Sequence, residues 1–173
     1  MSATIINTPR IYVASLSDYN AGILHGAWID ADQDADTIQL DIDTMLQRSP
    51  TGGAEEWSIR DTDNFPNLGE NPQLETIATI GQAIAEHGDA FIAWIDNSSY
   101  NAEHPENFND EFRGEYESVK DYAYQFAEEC GIERQLLDID MYDYINWEAY
   151  GESLLQDGWY CDAPGGHIYV FGN

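Results

Sequence analysis

The chain has 173 residues and carries 33 acidic against six basic side chains, a formal net charge of −27. Its hydrophobic content of 43% and aromatic content of 13% separate it from an acidic disordered tail, so we expect it to fold. Six basic residues are too few to neutralise nucleic acid or an anionic membrane surface, which argues against direct binding to either. Self-repulsion of this size destabilises a compact state, so the acidic residues need an explanation other than stability.

Hydrophobic patterning predicts short strands and helices separated by loops rich in glycine, proline and asparagine. The first elements, in chain order, are strands at 11–13 and 22–29, a helix capped by Asp36 with Ile38, Ile42, Met45 and Leu46 on one face, a strand at 57–60, and a helix from Leu74 that stops at Gly88. Then follow an apolar run at 90–95 that fits a strand or a buried helix equally, a helix with an apolar stripe over 116–130, a helix at 146–156, and a hairpin of 159–161 with 168–171.

Polar loops at residues 64–72 and 97–109 are the predicted boundaries of three small lobes. The expected fold class is α+β. Residues 1–63 form an N-terminal lobe that contains strands, residues 64–105 a mainly helical middle lobe, and residues 106–173 an α+β C-terminal lobe.

Acidic charge is concentrated between two near-neutral ends. Residues 1–29 have a net charge of zero and the last eleven residues carry no formal side-chain charge. Residues 30–43 hold six aspartates and no basic residue. A global adaptation of the surface predicts acidic residues scattered over all surface elements, so this distribution argues against one.

A calcium site is one alternative for the aspartates of residues 30–41. They alternate as in an EF-hand loop, but Ala35 stands where that loop needs glycine and Asp41 where it needs the longer glutamate. An exposed acidic corner between a strand and a helix is the preferred interpretation. No metal site and no cofactor are predicted.

No pattern typical of an enzyme stands out. With 33 carboxylates, close pairs such as Asp138 and Asp140 carry almost no information about catalysis. The four histidines lack the spacing of a metal-binding motif, and neither a nucleophile elbow nor a phosphate-binding glycine loop is present. Cys130 and Cys161 are expected to be reduced, mostly buried thiols of a cytoplasmic protein. No enzymatic activity is predicted.

Like charges recur at intervals of four residues where the third helical region is predicted. The pairs are Glu106/Asp110, Glu111/Glu115 and Glu117/Asp121. Each pair costs about 0.2–0.5 kcal/mol in a helix, yet carboxylates held about 5–6 Å apart on a rigid rod are similar to a row of phosphates. With one charge per ~1.7 Å of duplex, 27 charges correspond to about 46 Å, or roughly 13–14 base pairs.

Two other interpretations of the acidity stay open. Proteins of hypersaline cytoplasm are acid-rich and lysine-poor, and this chain has a single lysine. The alternative with a nucleic-acid connection is an acidic decoy or chaperone for another DNA-binding protein, such as a nucleoid protein.

Several segments resemble the ArdA antirestriction proteins, in the family's order and over essentially the whole chain. They read PRIYVA at 9–14, YNAG at 19–22, LHGAWID at 24–30, YAYQFAEE at 122–129, DYINWEAYG at 143–151 and HIYVF at 167–171. The N-terminal segments are the most specific. Trp147 and Gly151 depart from the family pattern, which has a smaller aromatic residue and an alanine at these places.

The resemblance implies an inhibitor encoded on mobile genetic elements that acts in the cytoplasm as a DNA mimic. Such a protein occupies the groove of type I restriction-modification enzymes, formed by methyltransferase and specificity subunits, as an elongated, curved homodimer. The family's antirestriction motif maps to residues 137–155, at or near the dimer contact. Its aromatic residues, for which core packing is equally plausible, are Tyr142, Tyr144, Trp147 and Tyr150. The predicted mimic surface comprises Asp30, Asp32, Asp34, Asp36, Asp110, Glu111, Glu115, Glu117 and Asp121.

Overall fold

Residues 7–172 are described by a computed structural model, and they form two compact units that divide between Glu106 and Asn107. The predicted α+β class is confirmed, because the described helices accompany two separate three-stranded antiparallel sheets. None of the helices in residues 7–172 is long and apolar enough to cross a membrane. The further division of the first unit into two lobes near residue 63 stays a prediction.

The sheet of the first unit has its most buried strand at the centre. Its strands are β1 (Arg10–Ser15), β2 (Gly26–Asp30) and β3 (Trp57–Asp63), in the order β2-β1-β3. Ile11 and Val13 of β1 are fully buried, with the half-buried Tyr12 between them, as the alternation of a strand requires. A short helix, α1 (Leu16–Asn20), follows β1 and was not predicted.

Helices complete the first unit. They are α2 (Ala35–Gln47), α3 (Leu74–His87), α4 (Asp89–Asn97) and α5 (Ser99–Glu103), followed by a 3-10 turn at Pro105–Asn107. The predicted apolar face of α2 is confirmed, since all four of its residues are buried. The predicted cap is wrong, because Asp34 caps α2 and Asp36 lies in the first turn.

The ambiguous apolar run at 90–95 is part of α4. Phe91 and Trp94 are fully buried, and the amide of Asn101 donates to the carbonyl of Trp94 over 2.6 Å. The half-buried Ile92 and Ala93 are apolar as well, so the apolar run is continuous and hides the period of 3.6 residues.

The second unit packs helices against a sheet of order β4-β6-β5. Its elements are α6 (Phe108–Glu111), β4 (Phe112–Tyr116), α7 (Val119–Glu129), α8 (Ile132–Asp138), a 3-10 turn (Tyr142–Tyr144), α9 (Trp147–Leu154), β5 (Gly158–Asp162), a 3-10 turn (Pro164–Gly166) and β6 (Ile168–Gly172). The predicted closing hairpin is confirmed by the antiparallel pairing of β5 and β6.

Gly151 allows two helices of the second unit to approach closely. A Cβ atom at this position would lie 2.5 Å from the carbonyl oxygen of Val119 in α7 and 2.7 Å from its side chain. The glycine that departs from the family pattern therefore permits the contact between α7 and α9. Close to this contact, the large Trp147 ring is buried against Ala123 and Ala127 of α7.

Candidate functional site

The acidic side chains lie almost entirely on the surface. All 33 belong to described residues, and of these 28 are exposed, four are half-buried and one, Asp18, is buried. The formal charge is −15 for residues 7–106 and −12 for residues 107–172. Both units therefore present a large excess of carboxylates to solvent.

The acidic corner, which we define as residues 30–36, connects β2 to α2. Its four predicted carboxylates are all exposed: Asp30, Asp32, Asp34 and Asp36. Each oxygen of Asp34 accepts a hydrogen bond of 2.9 Å from Thr37, one from the backbone N–H and one from the hydroxyl. These bonds lower the pKa of Asp34, so the cap of α2 keeps its charge as the pH falls.

Backbone contact fixes the position of the acidic corner. Ala31 is fully buried against α3, and a Cβ atom added at Gly81 would overlap its carbonyl group and lie 2.9 Å from the backbone nitrogen of Asp32. The amide of Gln82 also donates to the carbonyl of Gln33 over 3.2 Å. The backbone of α3 thus holds the acidic corner from behind, while the four carboxylates of the corner are exposed to solvent.

The second predicted group does not lie on one helix, so the interpretation of its four-residue intervals as a helical row of charges is wrong. Asp110 and Glu111 lie in α6, Glu115 in β4, Glu117 in the turn that follows and Asp121 in the first turn of α7. We call residues 110–121 the acidic segment. The carboxylates of this segment are distributed over three elements instead of along one axis.

Side-chain contacts hold two members of the acidic segment. The Nδ1 atom of His167, which immediately precedes the neighbouring strand β6, lies 2.7 Å from Oε1 of Glu115. Asp121 accepts hydrogen bonds from the backbone of Glu117 over 3.3 Å and from the amide of Gln125 over 3.0 Å. Charge in this segment is therefore held by individual hydrogen bonds to the carboxylates rather than by close packing of the backbone.

Three of the six basic side chains lie against aromatic rings. The groups are Arg10 with Asp63 and Trp28, Arg60 with Glu70 and Tyr19, and Lys120 with Tyr124. The cationic centres lie 5.3, 4.5 and 5.5 Å from the ring centroids, which is the range of a cation–π interaction. Each of these cations is engaged within its own unit.

The predicted antirestriction motif contributes to both core and surface. Trp147 is buried with Ala123 and Ala127, and the half-buried Tyr142 and Tyr150 pack against this cluster. Tyr144, in contrast, is 79% exposed. Of the four aromatic residues, Trp147 thus has a core role, and Tyr144 has the greatest freedom to contact a partner.

Sequence reasoning did not single out Asp18, which is the one buried carboxylate among residues 7–172. Its Oδ1 atom accepts from the hydroxyl of Ser49 over 2.9 Å, and from the hydroxyl and backbone N–H of Thr51 over 2.7 and 3.3 Å. Burial raises the pKa of Asp18, but these hydrogen bonds outweigh it and lower the pKa to about 2. Asp18 therefore joins α1 to the loop after α2. The clustering of serines and threonines near this loop was the available signal.

Metal-ligating side chains are not gathered in the described part of the chain. Among residues 7–172, no three His, Cys, Asp or Glu side chains meet in an arrangement that could hold a metal ion. Both cysteines are free, but the expectation that they are mostly buried is wrong, since Cys130 is exposed and Cys161 half-buried.

The fold and the surface together define a small, strongly acidic α+β protein whose carboxylates face solvent. The family model of the antirestriction protein ArdA matches residues 11–169, and the chain belongs to this family. The resemblance seen in the sequence is thereby confirmed. Membership implies an antirestriction function, that of an inhibitor of type I restriction-modification enzymes rather than of an enzyme. A search of curated protein sequences found no match.

Proposed function

We propose that this chain inhibits type I restriction-modification enzymes by placing carboxylates at the positions where these enzymes bind the phosphates of DNA. The observation that carries the proposal is the exposure of 28 of the 33 carboxylates in a chain with six Lys and Arg residues. A groove lined by basic residues gains affinity for DNA through charge neutralisation and counterion release. Exposed carboxylates supply the same electrostatic attraction to methyltransferase and specificity subunits.

Inhibition by this mechanism does not depend on the DNA sequence that the enzyme recognises. Phosphate contacts position a protein on DNA, whereas contacts with base edges specify the sequence. A protein that offers charges without bases should therefore inhibit type I enzymes of different target sequence to a similar extent. The attraction comes from the summed charge of many carboxylates, so changing a single carboxylate to an amide should have little effect on inhibition.

The proposed homodimer contact includes the exposed apolar residues of the antirestriction motif. They are Leu137, Ile139, Met141 and Tyr144, which are 55, 65, 44 and 79% exposed. Four large apolar side chains within eight residues are favourable for a protein contact. Changing Ile139 and Tyr144 to serine should shift the dimer to monomer in sedimentation equilibrium. Leu40→Ser, at a similarly exposed position of the first unit, is the control and should not.

A displacement assay tests the mimic mechanism. A labelled target duplex is bound to a type I methyltransferase with its specificity subunit, and the protein is added at increasing concentration. Near-stoichiometric displacement supports the proposal. Displacement that needs a large excess, or that equals that of polyglutamate at the same total charge, contradicts it.

Two inexpensive measurements address the remaining alternatives. A halophilic protein should lose its fold in buffer of ordinary ionic strength, whereas the mimic should stay folded there and gain stability as salt screens its repulsion. A calcium-binding protein should change its melting temperature when a chelator is added.

A further inference from the structure

A cavity of about 380 Å³ opens on the second unit, among β4, α7, the end of α9 and the ends of β5 and β6. Polar and apolar surface contribute about equally to its walls, and the aromatic and aliphatic part is formed by Tyr116, Tyr122, Phe126, Leu154, Leu155 and Phe171. The volume is within the range of sites that hold small ligands or an inserted side chain.

Glycines and neutral phenols shape this cavity. At Gly158, a Cβ atom would overlap the carbonyl of Phe171, so the strand can pass close to its neighbour only without a side chain. Burial raises the pKa of Tyr116 and of Tyr122 above the ordinary value, and both rings stay uncharged at neutral pH. The hydroxyl of Tyr116 donates to the carbonyl of Arg113 over 2.8 Å, which fixes that ring.

Charged residues also line the cavity, and the acidic ones predominate. Glu129 and Asp157 are exposed carboxylates on its lining, and Arg113 is the one basic residue among the lining residues. The guanidinium of Arg113 donates to the carbonyl of Gly172 over 3.4 Å. The cavity therefore combines aromatic and aliphatic side chains with two carboxylates and one guanidinium that is engaged by a backbone carbonyl, within a unit of formal charge −12.

We infer that this cavity receives an arginine side chain of the protein partner, so that one cation of the partner is anchored inside rather than on the acidic surface. Aromatic rings and aliphatic side chains would contact the methylene stem and the face of the guanidinium, and Glu129 and Asp157 would accept its hydrogen bonds. The inference rests on the proposed function for the origin of the arginine.

Charge complementarity and the molecule's own contacts favour arginine as the occupant. Arg60 already stacks at 4.5 Å on Tyr19 while its guanidinium pairs with Glu70, which is the same combination of ring and carboxylate. Guanidinium is more weakly hydrated than ammonium and stacks on ring faces, so it enters such a site at lower cost. Buried arginine and tyrosine contacts are also common among the residues that dominate binding energy.

A direct test uses N-acetyl-arginine methylamide and its neutral citrulline counterpart as probes, with NMR of the full chain as the readout. The arginine probe should shift signals of Phe126 and Leu154 saturably, and the citrulline probe should bind about three- to tenfold more weakly. The double variant E129Q/D157N should remove this preference. The control variant E128Q/D162N loses two exposed carboxylates that do not line the cavity and should retain it. Equal binding of both probes, or equal effects of both variants, overturns the inference.

The same variants in the displacement assay connect the cavity to inhibition. E129Q/D157N should weaken displacement of the duplex about three- to tenfold, and E128Q/D162N by less than about twofold. If both variants displace the duplex equally well, the inference is overturned while the mimic mechanism stands. If the arginine probe binds as expected but the protein displaces no duplex, the proposed function fails and the cavity is shown to be an arginine site for another partner.

Discussion

The acidic corner of the first unit and the acidic segment of the second carry similar charge on different supports. In the corner, Ala31 packs against the backbone of α3 at Gly81. This contact fixes the main chain from which the neighbouring carboxylates project. In the segment, Glu115 contacts His167, and Asp121 accepts hydrogen bonds from Gln125 of the same helix and from the backbone of Glu117. Negative charge on this protein is thus positioned in two ways, by close backbone packing and by side-chain hydrogen bonds.

The difference has consequences for how each region responds to change. A backbone contact without a side chain tolerates no added atom, whereas a side-chain contact can be lost and replaced by water. The corner should therefore be sensitive at a residue that carries no charge. The segment should be sensitive only where charge itself is removed.

Gly81→Ala should have the largest effect on the free energy of unfolding. Whether it stabilises or destabilises the protein distinguishes helix propensity from steric overlap. Helix propensity alone predicts that alanine stabilises α3 by about 1 kcal/mol. Overlap with the carbonyl of Ala31 instead predicts a destabilisation of about 1–3 kcal/mol, measured by urea unfolding. Backbone NMR signals of residues 31–33 should move, and those of the acidic segment should not. Gln82→Ala removes one hydrogen bond on the same helix and is the control; a stabilised Gly81→Ala protein would contradict the proposed support of the corner.

Neutralising whole groups should separate the two regions by their effect on inhibition. Changing the four aspartates of the corner to asparagine should weaken duplex displacement roughly tenfold, because exposed charges each contribute modestly and together appreciably. The five carboxylates of the acidic segment, changed to amides, should cost less per charge, since their flexible side chains lose more entropy on binding. A larger loss per charge from the segment would show that the rigidity of the corner is irrelevant to binding.

Sequence patterns predicted elements with one clear apolar face and missed those without one. The spacing of Ile38, Ile42 and Met45 is sufficient to predict α2. The region of β4 was wrongly predicted to be helical, because this strand has only five residues and none of them is fully buried. Its pairing with β6 also shifts register between Phe112 and Gly114. Glu111 and Glu115 have helical spacing by coincidence.

The sequence was sufficient to predict which carboxylates of the candidate site are exposed, but not which contacts hold them in place. Exposure of the predicted aspartates follows from their charge and was correct throughout the corner. The contact between Gly81 and Ala31 joins residues fifty positions apart, and a single glycine in a helix carries no signal of its partner. Asp18 looked like the other acids in the sequence, because its burial depends on a loop more than thirty residues away.

Asp18→Asn should have a smaller effect on stability, opposite in sign to that of an exposed acid. Removing the charge at Asp96, which is exposed, should relieve repulsion and stabilise slightly. Removing it at Asp18 should destabilise, since Ser49 and Thr51 donate to a carboxylate there.

The pH dependence of the Asp18→Asn effect follows from the lowered pKa of the aspartate. Because the pKa is lowered from 3.8 to about 2, the stabilisation by the ionised form is complete above pH 4 and is lost as the pH falls towards 2. The difference in unfolding midpoint between wild type and Asp18→Asn, measured from pH 7 to pH 2, should therefore narrow only below pH 4. A constant difference would mean that the charge of Asp18 does not contribute.

The smallest effect is expected at Asp34, where structure and charge can be separated at one residue of the corner. Asparagine caps helices as well as aspartate does. In Asp34→Asn the amide oxygen still accepts from the backbone N–H of Thr37, and the amide nitrogen donates to the Thr37 hydroxyl instead of accepting from it, so the melting temperature should change little. Asp34→Ala removes cap and charge together and should lower the melting temperature measurably more. Because inhibition responds to charge, the two variants should inhibit equally well. If Asp34→Ala alone inhibits poorly, the geometry of the corner matters more than its charge, and the backbone support by α3 becomes the leading determinant of binding there.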